Sequence, residues 1–169
     1  MYSSLGEKQQ ALDYYNQALP LLRAVGNRGG EANTLNNIGY VYDSLGEKQQ
    51  ALDYYNQALP LSRGVGEATT LNPLLRVVGN RGVEATTLNN IGLVYDSLGE
   101  KQKALEYLNQ ALPLFRAVGD RGGEATTLNN IGLVYDSLGE KQQALDYYNQ
   151  ALPLLRAVGD RAGCFHCRG

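Results

Sequence analysis

Nineteen residues, EATTLNNIGLVYDSLGEKQ from Glu84 to Gln102, return unchanged forty residues later as Glu124 to Gln142. A slightly altered copy runs from Glu31 to Gln49, and a truncated one opens the chain at Met1. Each copy continues into ALDYYNQALPLLRAVG or a close variant. A period of this order implies stacked units that bury their apolar faces only against their neighbours, not a chain folded around one core. Such arrays present extended surfaces to other macromolecules, so the pattern points to binding and away from catalysis.

Composition narrows the partner. The formal net charge is -2, whereas a phosphate-binding protein would carry a basic stripe, so no nucleic-acid partner is expected. No apolar run approaches the roughly 18 residues needed to cross a bilayer, so no membrane partner is expected either. No basic segment followed by an apolar stretch opens the chain. Both cysteines fall in the last six residues, so the repeats hold no disulfide framework and a cytoplasmic location is expected. No strand pattern and no Gly-rich phosphate loop occurs, and no cofactor is expected.

Each unit reads as two helices. In the last full copy Leu128, Ile131, Gly132, Tyr135 and Leu138 recur at helical spacing. Asp120 is placed to cap this helix and Gly139 to end it in the left-handed region. Ala144, Leu145, Tyr148, Ala151, Leu152 and Leu155 form the stripe of the second helix, with Gly159 as its expected stop. The short connection dictates an antiparallel hairpin. Gly132 and Ala144 are small where the two helices cross.

This pattern resembles the tetratricopeptide repeat. The residues that carry the likeness are Leu128, Ile131-Gly132 and Tyr135, then Ala144 and Tyr148. Leu35, Ile38-Gly39, Tyr42, Ala51 and Tyr55 repeat them, as do Leu88, Ile91-Gly92, Tyr95 and Ala104, with Leu108 in place of the aromatic. The forty-residue period is similar to the longer-helix branch found in kinesin light chains and in bacterial multi-repeat proteins. The resemblance implies an all-α, right-handed α-solenoid of antiparallel helical hairpins.

The expected layout is a half repeat over 1–26, a repeat over 27–63, an insert over 64–79, repeats over 80–118 and 119–158, and an unstructured tail over 159–169. The insert arises because the first-helix copies at Leu35 and Leu88 lie fifty-three residues apart, with thirteen residues duplicated in tandem. It is expected to form a loop and then a short helix, opened by Asn72-Pro73 and closed by Gly79. Pro20, Pro60, Pro113 and Pro153 sit inside second-helix patterns that continue across them, so kinks and not stops are expected. The half repeat is expected to hold only a second helix, from about Glu7 to Val25. Its face of Ala11, Tyr15, Ala18 and Leu22 lacks the usual cover, and no polar capping helix closes the far end. A piece of a longer array, or self-association through uncapped ends, is expected.

The side of each first helix opposite its packed face defines a candidate site. At 100° per residue it carries Thr126, Asn130, Leu133 and Ser137 in the last copy. The preceding copies offer Thr86, Asn90, Leu93 and Ser97, and then Asn33, Asn37, Tyr40 and Ser44. Asn36, Asn89 and Asn129 flank them, as do Asp43, Asp96 and Asp136. The family resemblance implies that these residues line the concave groove. Asparagine both donates and accepts, so an asparagine column suits a peptide backbone. Leu93, Leu133 and Tyr40 would add apolar contact, and the aspartates would favour a basic partner. Outside the groove, Tyr14, Tyr54, Tyr107 and Tyr147 make the next candidate surface.

The tail offers Cys164, His166 and Cys167. These make at most three zinc ligands with no second pair, so no metal site is expected. The reading that follows is a non-enzymatic scaffold that binds a protein or peptide partner in the groove. The alternative is a regulatory segment of a larger signalling enzyme, a protease or an ATPase, whose catalytic domain lies outside this sequence.

Overall fold

The computed structural model describes residues 2–64 and 73–163, and among these every element is an α-helix. In chain order they are α1 (Tyr2–Ala24), α2 (Arg28–Ser44), α3 (Lys48–Gly64), α4 (Pro73–Ser97), α5 (Lys101–Val118), α6 (Arg121–Ser137) and α7 (Lys141–Gly163). The most extensive contacts join α2 to α3, α4 to α5 and α6 to α7, which are the three expected hairpins. α1 packs on α2, α3 on α4 and α5 on α6, so the hairpins stack into a solenoid. The first helices α2, α4 and α6 also touch one another in sequence along the array. They therefore form the inner layer, and α1, α3, α5 and α7 the outer one.

Local chemistry sets the turns. The Asp120 carboxylate accepts a hydrogen bond from the Gly123 N–H at 2.9 Å, and the Asn27 side chain does the same for Gly30 at 3.0 Å. These caps satisfy one of the unpaired donors at each helix start. Gly46, Gly99 and Gly139 close the hairpins with φ of +83°, +81° and +81°. That region carries little penalty only for glycine.

The hairpin crossing is tight by sequence. A Cβ on Gly132 would sit 2.5 Å from Tyr148 Cε1, and one on Gly39 2.7 Å from Tyr55 Cε1. At Gly92 the obstacle is Leu108 Cγ at 2.8 Å, so the aliphatic replacement fills the same space. Ala51, Ala104 and Ala144 are buried beside these contacts. Leu105, Leu108 and Leu112 of α5 share a core with Leu128, Ile131 and Val134 of α6. Burying such side chains contributes roughly 1.5–3 kcal/mol each.

Each hairpin also carries a stacked tyrosine pair. Tyr42 lies on Tyr54, Tyr95 on Tyr107 and Tyr135 on Tyr147, with centroids 5.3–5.5 Å apart and planes within 14°. Burial, and then the neighbouring Tyr54, raises the Tyr42 pKa, and burial followed by Tyr147 does the same at Tyr135. Three of the four outer tyrosines are thus half-buried struts between helices, and Tyr14 alone of the four is exposed.

Several expectations need correction. α1 begins at Tyr2 and runs through Gly6, not from about Glu7. Its uncovered face is only partly open: Leu12 packs with Ile38 and Val41, and Ala11 and Tyr15 lie against that cluster. α4 opens at Pro73, as Asn72-Pro73 suggests, but does not stop at Gly79 and continues unbroken to Ser97. The second half of the insert is therefore an extension of a first helix. The loop expected before it falls on residues 65–72, outside the described residues. α7 likewise passes Gly159 and ends at Gly163, so the start of the expected tail is helical. Gly119 does stop α5, at φ +72°. There the N–H groups of Gly119 and Asp120 return to Arg116 and Phe115, and Asp120 caps the next helix.

Candidate functional site

The inner layer presents one row of side chains from each of α2, α4 and α6. Tyr40, Leu93 and Leu133 occupy the same position in the three copies, and they are 62%, 37% and 51% exposed. A rung of solvent-facing apolar surface thus recurs once per repeat. Thr86, Thr126, Asn33, Asn37, Ser44, Ser97 and Ser137 are exposed or half-buried beside it. The serine hydroxyls donate to the carbonyls of Val41, Val94 and Val134 at 2.7 Å, which folds them back on their own helices. Thr86 does likewise to Gly82 at 3.0 Å.

The asparagines divide into two kinds. Asn130 is only 8% exposed, and its Nδ2 donates to Asn89 Oδ1 at 3.2 Å. Thr127 Oγ1 donates to the same oxygen at 3.2 Å. One repeat earlier, Asn90 Nδ2 donates to Asn36 Oδ1 at 3.4 Å. The Asn-Asn doublet is thus an inter-repeat clasp: the first amide accepts from the second amide of the next copy. Asn130 does not point into solvent as its helical angle implies, and the clasp explains why. Asn33 and Asn37 remain on the open surface.

Electrostatics also differ from the expectation. Lys48 Nζ lies 2.6 Å from Asp43 Oδ1, Lys101 the same distance from Asp96, and Lys141 from Asp136. Every flanking aspartate is paired across its own hairpin turn, so the row offers a basic partner no uncompensated carboxylate. The five-residue Asp-to-Lys spacing was present in each copy and was the signal for it. Behind the first rung stands Tyr55, buried at the hairpin crossing. Burial, then Asp43 and Tyr40, pushes its hydroxyl well above the ordinary tyrosine range.

Among the described residues no group of three His, Cys, Asp or Glu side chains is placed to hold a metal ion, and no helix is long and apolar enough to cross a membrane. Cys164, His166 and Cys167 lie outside the described residues.

This architecture matches known proteins at the level of fold. The sequence profile of the tetratricopeptide repeat matches residues 1–64, 74–117 and 83–157. The chain belongs to the tetratricopeptide repeat family. No curated protein matches it in sequence. Among solved structures, it resembles BtubC (BKLC) from P. vanneervenii with a TM-score of 0.71 at 22% identity. That match covers 94% of this chain and 60% of BtubC, so the chain spans less than two thirds of its neighbour's length. A proposed kinesin light chain of Podosopora anserina, built of nearly identical TPR-like repeats, superposes with a TM-score of 0.63 at 14% identity, over 94% of this chain and 72% of the other. The likeness to the longer-helix, kinesin light chain-like repeats is thus one of fold.

Proposed function

We propose that this chain is a non-enzymatic, cytoplasmic scaffold module that binds a protein or peptide segment along the inner face of α2, α4 and α6. The observation that carries this reading is the recurrence of exposed Tyr40, Leu93 and Leu133 at one position of three successive first helices. Apolar side chains on a folded surface are ordinary singly, but a contiguous row of them marks an interaction site. Outer-layer tyrosines at the corresponding hairpins are used up in stacking, which leaves the inner face as the better candidate. Thr86, Asn90, Ser97, Thr126, Asn130 and Ser137 then frame the groove more than they grip the ligand.

The test is affinity capture from lysate with the whole chain as bait, compared with Leu93→Asp plus Leu133→Asp. A partner retained by the parent and lost by the double variant supports the groove. Equal capture by both removes it. The leucines are preferred to Asn90 and Asn130 as targets, because the asparagines also hold repeats together.

A further inference from the structure

We infer that copies of this chain join head to tail, with α7 of one copy seated on α2 of the next in the place that α1 holds. The contact uses the ends of the array and leaves the inner row free. It follows first from the sequence: residues 137–159, which span most of α7, repeat residues 4–26, which span α1, letter for letter. Leu145, Leu152 and Arg156 are therefore the counterparts of Leu12, Leu19 and Arg23. α1 has a seat for these side chains. Leu12 packs on Ile38 and Val41, Leu19 on Leu35, and Arg23 pairs with Glu31 at 2.7 Å. Leu12 and Leu19 are 4% and 8% exposed, whereas Leu145 and Leu152 are 53% and 45% exposed. One helix sequence thus occurs twice, covered on α1 and open on α7, and the surface that covers it belongs to this same chain. The seat also continues an interface the array already uses. Leu35, Ile38 and Val41 are the counterparts of Leu128, Ile131 and Val134 of α6, which share a core with Leu105 and Leu112 of α5.

The inter-repeat clasp supplies the direction. Asn36 and Asn89 accept from Asn90 and Asn130 of the next first helix. The same series places a further acceptor, half-buried Asn129, on α6 and a further donor, exposed Asn37, on α2. Seating α7 on α2 of a second copy brings α6 beside that α2, so Asn129 meets Asn37 as Asn89 meets Asn130. Within one copy α1 brings α2 no first helix and no such clasp.

The exchange is nearly balanced. α7 makes on α2 the contacts that the identical α1 gives up, and the α1 stripe is uncovered as the α7 stripe is covered. The surplus is the contact of α6 with α2 and its clasp, set against the cost of association. α1 is held chiefly by α2. It ends at Gly26 (φ +66°), before the Asn27 cap, so α2 keeps its cap when α1 leaves. Every joined species still carries one open α7, so a head-to-tail contact of this kind builds a ladder of sizes and does not stop at the dimer.

Sedimentation velocity of the whole chain over a concentration series tests this, and species beyond the dimer are expected. Leu12→Asp plus Leu19→Asp puts charges into the α1 seat, which loosens α1 and frees α2. Association should then set in at a concentration at least about tenfold lower. Adding Leu145→Glu and Leu152→Glu to the same chain should abolish that gain. Asn37→Ala in the otherwise unaltered chain should weaken association by about two- to tenfold, the worth of one hydrogen bond, with no loss in urea midpoint. Circular dichroism of the α1 variant should lose no more helix than α1 contains. If it loses more, Leu19→Ser, which only weakens the seat, replaces the pair with the same expectation.

Each contrary outcome overturns the exchange. Association that stops at the dimer, or that the α1 variant leaves unchanged, means that two α7 faces meet. Association that the α1 variant weakens means that α7 rests on α1 itself. A parent that stays single at every concentration overturns the exchange, as does an Asn37→Ala chain that associates like the parent. None of these results bears on the groove, which capture from lysate decides.

Discussion

Arg63 and Glu84 form the same ion pair as Arg23 with Glu31 and Arg116 with Glu124, each at 2.7 Å. Their separation in sequence is twenty-one residues, where the other two pairs are eight apart. The end of a second helix and the matching glutamate of the next first helix therefore meet in the same way with or without the insert, although Glu84 lies well inside α4 where Glu31 and Glu124 stand in the first turn of α2 and α6. A repeat array tolerates this, because each hairpin needs only its neighbour's face and not a fixed connection length.

Deleting residues 64–76 should accordingly leave the fold intact. It joins Arg63 to Val77 and yields RVVGNRGVE, the counterpart of RAVGNRGGE at residues 23–31. Arg63 then lies eight residues from Glu84, with Gly79 and Asn80 where Gly26 and Asn27 make the turn. Shortening the connection lowers its closure cost by about 0.8 kcal/mol. The urea midpoint of the deletion variant should equal or exceed that of the parent. A clear fall would mean that the insert contributes packing of its own.

The glycines at the hairpin crossings and Gly82 should respond in opposite directions to alanine. Alanine at Gly132 meets Tyr148, and at Gly92 it meets Leu108 and the Ala104 carbonyl. Either substitution should cost about 1–3 kcal/mol through overpacking, despite the better helix propensity. A Cβ added at Gly82, inside α4, would have no neighbour within 4 Å, and the backbone there is ordinary helix. Gly82→Ala should gain about 0.5–1 kcal/mol from backbone entropy alone. Denaturant titrations of the three variants check this, and a stabilised Gly132→Ala would contradict the close crossing.

Most of this fold was legible because its signals are local and repeated. Leu128, Ile131, Gly132 and Ala144 announce a helical hairpin, and Asp120 and Gly139 act as the cap and stop that their chemistry suggests. Gly79 and Gly159 show the limit of that logic. Glycine permits a left-handed turn without compelling one. At Gly26 and Gly119 the turn is held by a following N-cap and by an Arg–Glu pair that closes the corner. At Gly79 and Gly159 the helix simply continues. The site was half legible. Angular position found the exposed Tyr40, Leu93 and Leu133, but it treats a helix as isolated. It could not show that Asn130 is covered by the preceding repeat, or that Lys48, Lys101 and Lys141 reach their aspartates across a turn.

Alkaline pH should weaken the array partly through Tyr55. Its hydroxyl pKa is raised in the folded chain, chiefly by burial. Above the unfolded value near 10 the native state then holds a proton that the unfolded state has released. That contribution is fully present below about pH 10 and is lost as pH rises past it. Tyr42 and Tyr135 shift in the same direction, so the effect is shared. Between about pH 9 and pH 11, Tyr55→Phe should lose less stability than the parent, by roughly 1 kcal/mol. Parallel urea titrations at the two pH values measure the difference, and identical losses would show that the Tyr55 hydroxyl ionises freely.

The outer face of α7 should drive self-association. Leu145, Leu152 and Leu155 are 53%, 45% and 47% exposed. Their counterparts on α5, Leu105, Leu112 and Phe115, are covered by the next hairpin to 5%, 8% and 5%. The same stripe that forms a core between α5 and α6 is thus open to water on α7, and exposed apolar stripes of this length favour association. Sedimentation velocity should show the average mass rising with concentration. Leu145→Glu plus Leu152→Glu should shift the association to at least about tenfold higher concentration, since it places two charges on the contact face of each copy. Folding should be unaffected, because both side chains already face water. A parent that stays monomeric across the range would rule out α7 as an association surface, and a variant that still associates would move the contact to α1, where Tyr14 and Leu21 are exposed.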